Sequence, residues 1–200
     1  MQRYQTRTLV LYALFMALTL LLGMTPIGLI PLGFINLTVL HIPTIVAAIV
    51  LGTKGGLVVG ALFGLASTLS ALGLSPMVPQ SGLAAALVAV NPFYVIAMCF
   101  IPRLLIPVTT SALYRLCMRK GQKFAVGGAA IVGSLTNTIF YLGLMLVFYH
   151  MAGLDSTPVV AVIGGTGLIA APMEALAAML IAIPVVAAVK KTEKSQDKRG

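Results

Sequence analysis

Charged residues are almost absent from the long middle of this chain, and that absence limits what it can fold into. Between residues 8 and 189 the sequence is a nearly continuous run of apolar residues, broken only by short polar segments. Hydrophobic residues make up 60% of the chain and charged residues 8%, whereas about a quarter of a soluble domain is charged. The composition therefore predicts a single integral membrane domain.

Six apolar stretches approach the roughly 20 residues that a helix needs to cross a bilayer. They cover residues 8–24, 39–52, 55–74, 93–116, 124–150 and 165–189. The second is short, and Gly52 and Gly55 leave room only for a tight antiparallel link to the third. We predict an all-α bundle of six membrane helices in one domain, residues 1–191, and a basic, disordered tail at 192–200.

The 13 lysine and arginine residues lie almost entirely in every second polar segment and in the tail. The alternate segments, residues 25–37, 75–92 and 151–163, contain no lysine or arginine, and their one charge is Asp155. By the positive-inside rule both termini are predicted to be cytoplasmic. Basic residues at span ends meet anionic lipid headgroups, so the net charge of +9 does not indicate nucleic-acid binding.

Three polar residues are predicted to lie at the same depth in the membrane. Arg103 and Glu174 are each about ten residues from the outer end of their stretch, and Asn137 is midway along its own, which places all three roughly 15 Å below the outer surface. An ionisable group at this depth costs several kcal/mol and needs a partner or a cavity. Two interpretations are open: an Arg103–Glu174 ion pair that locks two helices, or a cavity in which the arginine holds a ligand carboxylate.

The polar residues of the outer segments permit similar alternatives. Asn36, Thr38 and His41 lie where the first outer segment meets the second span, and His41 suits either the start of a helix or a ligand site. The first outer segment is apolar and contains Pro26 and Pro31, which favours a lid that folds back over the bundle. Turn and capping chemistry accounts for Gln80, Ser81, Asn91 and Tyr94.

Small residues recur at helical spacing in two spans. Gly52, Gly56, Gly60 and Gly64 form one stripe on the third span, which favours close packing against a neighbouring helix. Ala13 and Ala17 form a shorter pair in the first span, and their spacing fits either internal packing or an outward-facing partner site.

Several function classes lack support in the sequence. Phosphate-loop, zinc-protease and serine-hydrolase motifs are absent, and Cys99 and Cys117 are not at a spacing that predicts a disulfide or a metal site. We therefore expect neither a cofactor nor a metal. Two other classes stay open. A small membrane enzyme would have only His41 and Asp155, on different outer segments, and a solitary secondary transporter or channel has weak support, because Glu174 is the one intramembrane carboxylate.

Two segments carry a resemblance to a known family. The sequence ALFMA at 13–17, and PLGFINLTVLHIP at 31–43 leading into the glycine-rich hairpin, resemble the substrate-binding S components of energy-coupling factor (ECF) vitamin transporters. The similarity extends over nearly the whole chain. It implies a transport subunit of the bacterial plasma membrane rather than an enzyme.

The resemblance also implies partners and a mechanism. Ala13 and Ala17 would dock on a transmembrane T component that two cytoplasmic ATPases drive. The first outer segment would gate an outward-facing vitamin site, and the whole subunit would topple in the membrane to carry its vitamin inward.

Within the family, residues 36–43, 101–103 and 136–138 look most like the pantothenate-type S components. The implied substrate-binding residues are Arg103, Asn137, Asn36, Thr38, His41, Thr136 and Glu174. The chain has no tryptophan and 7% aromatic residues, which disfavours a flat vitamin held by stacking. Riboflavin, folate and pyridoxine-like compounds stay open as alternatives.

Overall fold

The computed structural model describes residues 2–31 and 36–197. Its elements are α1 (Gln2–Gly23), β1 (Leu29–Pro31), β2 (Asn36–Thr38), α2 (His41–Val50), α3 (Gly52–Ala71), α4 (Gly82–Val90), α5 (Pro92–Cys117), α6 (Gln122–Met151), α7 (Thr157–Val162) and α8 (Leu168–Asp197). A 3₁₀ turn at Met118–Lys120 joins α5 to α6, and a π-helical turn at Ile163–Gly167 joins α7 to α8.

Five of these helices are long and apolar enough to cross a membrane, namely α1, α3, α5, α6 and α8. The prediction of a helical membrane bundle is therefore confirmed. The count of six full spans is not, because residues 39–52 provide only the ten-residue α2, which is about 15 Å long.

The short helix α2 lies inside the bundle rather than against lipid. Every residue from His41 to Ile49 is buried, and the helix packs against α1, α3, α5, α6 and α8. Hydropathy could not reveal this difference, because Ile, Val and Ala suit a protein interior and a bilayer equally well. The chain then reverses at Gly52, whose φ of +78° is readily adopted only by a residue without a Cβ.

The glycine stripe on α3 packs against α5, as the sequence predicts. A Cβ atom on Gly56 would lie 2.5 Å from Cβ of Pro107, and one on Gly60 would lie 2.5 Å from the carbonyl oxygen of Arg103. Gly64 likewise faces the Phe100 ring. Gly52, the first residue of α3, is the exception, since it forms the turn and no atom of the described residues lies within 4 Å of its Cβ position.

Contacts between helix ends show that both ends of the described chain lie on the same side of the bundle. Arg7 Nη2 on α1 donates a hydrogen bond of 3.4 Å to the Val189 carbonyl on α8. At the same end, Arg115 near the end of α5 reaches Thr53 at the start of α3 with an Nη2–Oγ1 distance of 3.5 Å. We call this the basic end; the side of the membrane that it faces is a separate question.

The opposite end carries a β-hairpin that the sequence did not indicate. Strands β1 and β2 pair antiparallel in the register Leu29 with Thr38 and Pro31 with Asn36. The predicted lid at 25–37 is thus a turn followed by this pair of strands, and residues 32–35 lie outside the described part of the chain. Gly28 brings the base of the hairpin against α1, because a side chain there would collide with the Leu22 carbonyl.

The segment between α3 and α5 is also more ordered than predicted, because it contains helix α4. The expected turn and capping roles are confirmed for Gln80, Ser81 and Asn91, whereas the Tyr94 ring stacks on Phe148. Ser81 Oγ accepts from the Ala84 amide at 3.4 Å, and Asn91 Oδ1 accepts from the Phe93 amide at 3.0 Å. Gln80 donates to the Ala71 carbonyl at 2.7 Å.

The C-terminal tail begins as helix. Helix α8 continues to Asp197, several residues into the segment for which disorder is predicted, and residues 198–200 lie outside the described part of the chain. The predicted division into a membrane domain and a disordered tail stays a prediction.

Candidate functional site

Arg103 is 3% exposed, and two prolines determine its surroundings. Because Pro102 has no N–H, the carbonyl of Met98 lacks its helical partner, and Arg103 Nη1 donates to that carbonyl at 3.1 Å instead. Pro107 likewise leaves the Arg103 carbonyl without a helical donor, on the side where Gly60 makes its close approach. The arginine is therefore built into a locally modified helix.

Neighbouring helices hold the Arg103 guanidinium in place. Its central carbon lies 4.4 Å from the centre of the Tyr141 ring and 4.9 Å from that of Phe63, distances at which aromatic rings attract a cation. Nη2 reaches Ser67 Oγ at 3.5 Å. Nε has no hydrogen-bond partner among the described residues.

Two further buried side chains near Arg103 are also unsatisfied. Asn137 on α6 is 3% exposed and its Oδ1 has no partner in the described part of the structure, and the same is true of both ring nitrogens of His41. Asn137 is one turn before Tyr141 and therefore on the same face of α6. An unsatisfied polar group usually costs about 1–3 kcal/mol, so several of them around one buried cation indicate a site for a polar ligand.

Three hydroxyl groups extend this polar region. Within residues 2–31 and 36–197, the buried hydroxyls of Thr44, Thr110 and Ser134 also lack hydrogen-bond partners. Thr44 packs toward Gly60 on α3, and Thr110 contacts the Gly133 position on α6. The group continues the polar region from Arg103 toward the basic end of the bundle.

Glu174 is near this region but has its own partner. Its Oε2 accepts a hydrogen bond of 3.1 Å from Thr138 Oγ1, and its carboxylate lies within electrostatic range of Arg103 and close to the Thr38 backbone. The hydrogen bonds of Arg103 run to Met98 and Ser67 instead. The locked Arg103–Glu174 ion pair, one of the two interpretations of the sequence, is therefore not the arrangement observed.

Two of the predicted site residues use their hydroxyls in local structure. Thr136 Oγ1 bonds to the Val132 carbonyl at 2.7 Å and pairs with Thr109 at 3.0 Å. Thr38 Oγ1 accepts from the Leu40 amide at 3.2 Å just before α2. Asn36 belongs to β2, and its side chain lies outside the described residues.

The sequence interpretation missed three residues that hold Arg103: Phe63, Ser67 and Tyr141. A usable signal was present for each. Tyr141 is four residues after Asn137, and Phe63 and Ser67 continue the helical face beside Gly60 and Gly64.

Ala13 and Ala17 lie on the exposed side of α1. The opposite face of the helix is buried through Phe15 and Thr19. Leu14 and Leu18, next to the alanines, are 58% and 42% exposed. Of the two interpretations of this pair, the position matches an outward-facing surface rather than internal packing.

The remaining candidates for metal or catalytic chemistry are Cys99, Cys117 and Asp155. Among the described residues no group of three His, Cys, Asp or Glu side chains could hold a metal ion, and Cys99 and Cys117 are free thiols. Asp155 is fully exposed and accepts two hydrogen bonds from Thr157 at the start of α7. Those bonds stabilise the charged carboxylate and lower the pKa of Asp155.

The fold and the site together define a class: a multi-pass helical membrane protein with a cluster of buried polar side chains around one arginine. The family model described as "ECF transporter, substrate-specific component" matches residues 7–190, so the chain belongs to this family. The structure is similar to that of the S-component for biotin from an ECF-type ABC transporter, with a TM-score of 0.61 and 21% identity over 96% of this chain and 94% of that one. No curated protein sequence gives a significant match.

Membership in the family decides the general role. The chain is a substrate-binding transport subunit and not an enzyme, and S components work with a T component and separate ATPase subunits. The resemblance drawn from the sequence is confirmed at the level of the family. The pantothenate type is not established by these matches, because the similar structure is a biotin protein.

Proposed function

We propose that this S component captures a water-soluble vitamin that carries a carboxylate, and that pantothenate is its substrate. The observation that supports this most is the buried Arg103 with an Nε that has no partner among the described residues. An arginine N–H edge binds a carboxylate through two parallel hydrogen bonds, and a neutral ligand would leave the buried charge uncompensated.

The remainder of the site favours an aliphatic ligand. Pantothenate has hydroxyl groups and an amide in addition to its carboxylate, and Asn137 and His41 can hydrogen-bond to such groups. The nearest aromatic rings, Phe63 and Tyr141, already pack against the guanidinium, which disfavours their use as a stacking platform for riboflavin or folate. Glu174 would partly balance Arg103 when no ligand is bound.

Biotin is the second candidate, because a biotin S-component shares this fold. Biotin also combines an aliphatic carboxylate with a polar group at its far end. Both vitamins would place their carboxylate at Arg103 and differ in the group that reaches Asn137.

We further propose that both termini face the cytoplasm of a bacterial cell and that the β-hairpin covers the site from outside. The basic end holds Arg7, Lys54, Arg115, Lys123 and Lys190, which the positive-inside rule assigns to the cytoplasm. In this orientation the exposed Ala13–Ala17 face of α1 meets the T component, and toppling of the whole subunit carries the vitamin inward.

Ligand identification by mass spectrometry tests the substrate. The purified full-length chain is denatured and the released small molecules are identified, and competition binding with pantothenate, biotin and riboflavin follows. We expect pantothenate to be released and to compete best. Release of a vitamin without a carboxylate would contradict the role of Arg103, and biotin as the best competitor would change the substrate while leaving that role intact.

A further inference from the structure

A pocket lies at the basic end of the bundle, far along α6 from the Arg103 site. It has a volume of about 460 Å³ and lies between the start of α6 and the last turns of α8. Its polar wall is formed by Gln122, Lys123, Lys190 and Lys191. These four side chains include three cations and no carboxylate, so the wall is suited to an anion.

Two features add to the positive character of this wall. Lys190 Nζ donates a hydrogen bond to the Tyr114 hydroxyl and lies 4.9 Å from the centre of that ring, which holds the ammonium at the edge of the pocket. Helix α6 has 30 residues and begins at Gln122 after Gly121, which has no side chain to cap it. The positive end of its dipole therefore faces the same region.

The other wall of the pocket is apolar. Val126 on α6 and Ile183 and Ala187 on α8 line it. These residues lie farther into the bundle than the lysines, one to two helical turns from them along each helix. A ligand that fits both walls has an anionic head at the level of the span ends and a hydrocarbon part that runs into the membrane between the two helices.

We propose that this pocket binds the phosphate headgroup of an anionic phospholipid, with an acyl chain against the α6–α8 groove. Basic pockets between membrane helices at the cytoplasmic surface bind such headgroups through lysine contacts. A free phosphate ester shares the headgroup chemistry but would gain nothing from the apolar wall. The inference is independent of the vitamin site and of the identity of the vitamin.

Native mass spectrometry of the full-length protein measures the binding. The chain in detergent micelles is titrated with phosphatidylglycerol or phosphatidylcholine of identical acyl chains, and glycerol phosphate is added as a soluble competitor. We expect phosphatidylglycerol to bind in preference to phosphatidylcholine and millimolar glycerol phosphate to leave it bound. Equal binding of the two lipids would overturn the proposal, and displacement by glycerol phosphate would reassign the pocket to a soluble phosphate ester.

Substitutions locate the binding. Lys123→Gln and Lys191→Gln should each weaken phosphatidylglycerol binding about fivefold, the effect of about one lysine near a lipid surface. Lys54→Gln removes an exposed cation that lies outside the pocket at the same end of the bundle. This control should change phosphatidylglycerol binding little. Equal losses for all three would indicate a general surface charge and overturn the proposal.

Two alanine-to-phenylalanine substitutions distinguish binding in the pocket from attraction to surface charge. Ala187→Phe should fill the groove and abolish the preference for phosphatidylglycerol, whereas Ala188→Phe, at an exposed position outside the lining, should retain it. A melting temperature for each variant shows that the bundle is folded. A folded Ala187→Phe variant that binds the lipid like wild type would also overturn the proposal.

Discussion

At the scale of single residues, Arg103 shows how a charge is accommodated in the interior of an apolar helical bundle. Pro102 releases the Met98 carbonyl for the guanidinium, Ser67 provides a second acceptor, and Tyr141 and Phe63 provide aromatic surface. These groups hold the cation in position, but none of them carries a full negative charge. A ligand carboxylate therefore gains both a hydrogen-bonded fork and a strong Coulombic attraction in a site of low dielectric constant.

Replacing Arg103 with alanine should weaken vitamin binding at least about thirtyfold, which corresponds to roughly 2–5 kcal/mol for a buried charge-assisted pair. Arg103→Lys should recover little of the affinity, because an ammonium cannot reproduce the planar fork or its aromatic contacts. Asn137→Ala should cost less, about 1–3 kcal/mol, as expected for a neutral hydrogen bond. Isothermal titration calorimetry of the purified subunit measures all three.

An analogue in which the carboxylate is reduced to an alcohol is the control for Arg103. It should bind wild type poorly and lose little more affinity in Arg103→Ala. Tight binding of the alcohol by wild type would refute the carboxylate assignment.

At the scale of elements, the close contact between α3 and α5 supports the site. Gly60 lies against the backbone of Arg103, so the position of the arginine depends on the separation of the two helices. Side chains in a packed interior cannot absorb an added methyl group without displacement.

Gly60→Ala should therefore lower both thermal stability and vitamin affinity, with a stability cost of about 1–3 kcal/mol typical of overpacking. Gly143→Ala is the matched control on α6, because no atom in the described part of the chain lies within 4 Å of its Cβ position. It should be neutral or stabilising by up to about 1 kcal/mol. Thermal unfolding and titration of both variants test the difference, and equal effects would contradict the packing argument.

The β-hairpin is the element that we expect to respond to ligand. It consists of two three-residue strands, so few hydrogen bonds oppose its opening, and a bound vitamin would give its inner face a surface to close on. Hydrogen exchange of a peptide spanning residues 26–38 should slow on addition of saturating vitamin. Peptides from α3 serve as the internal reference, and unchanged exchange in the hairpin would count against a gate.

The exposed alanine face of α1 should be required for transport but not for binding. Ala13→Trp would prevent the close helix approach that small residues permit, so uptake by the assembled transporter should fall while the isolated subunit retains its vitamin affinity. Ala112→Trp, at an exposed position on α5, is the control and should preserve uptake. A parallel loss of binding in Ala13→Trp would instead assign the alanine to internal packing.

At the scale of the whole molecule, the orientation in the membrane can be measured directly. In a variant with Cys117→Ser, a membrane-impermeant maleimide added outside intact cells should label a cysteine introduced at Asp155 and not one introduced at Lys54. Both positions are exposed, and they belong to opposite ends of the bundle. Cys99 is buried and should stay unlabelled. The reverse labelling pattern would place the basic end outside.

The sequence by itself determined the class of fold and the approximate positions of the five long apolar helices, while the depth of Arg103 and Asn137 in the membrane stays a prediction. Long apolar runs and the cost of a buried charge are local properties that can be read along a chain. The sequence was also sufficient to predict the close packing of the α3 glycine stripe and membership in the family. Both predictions follow from short patterns of residues.

Only the tertiary structure decided that α2 is an interior helix, that the first outer segment forms a hairpin and that Arg103 and Glu174 have separate partners. It also decided that the Thr136 hydroxyl faces Thr109. Each of these depends on contacts between segments that are far apart in the sequence. An apolar side chain is about equally stable against protein and against lipid, so the sequence does not reveal which of the two it contacts. A polar side chain forms hydrogen bonds with whichever neighbour the packed helices bring within reach.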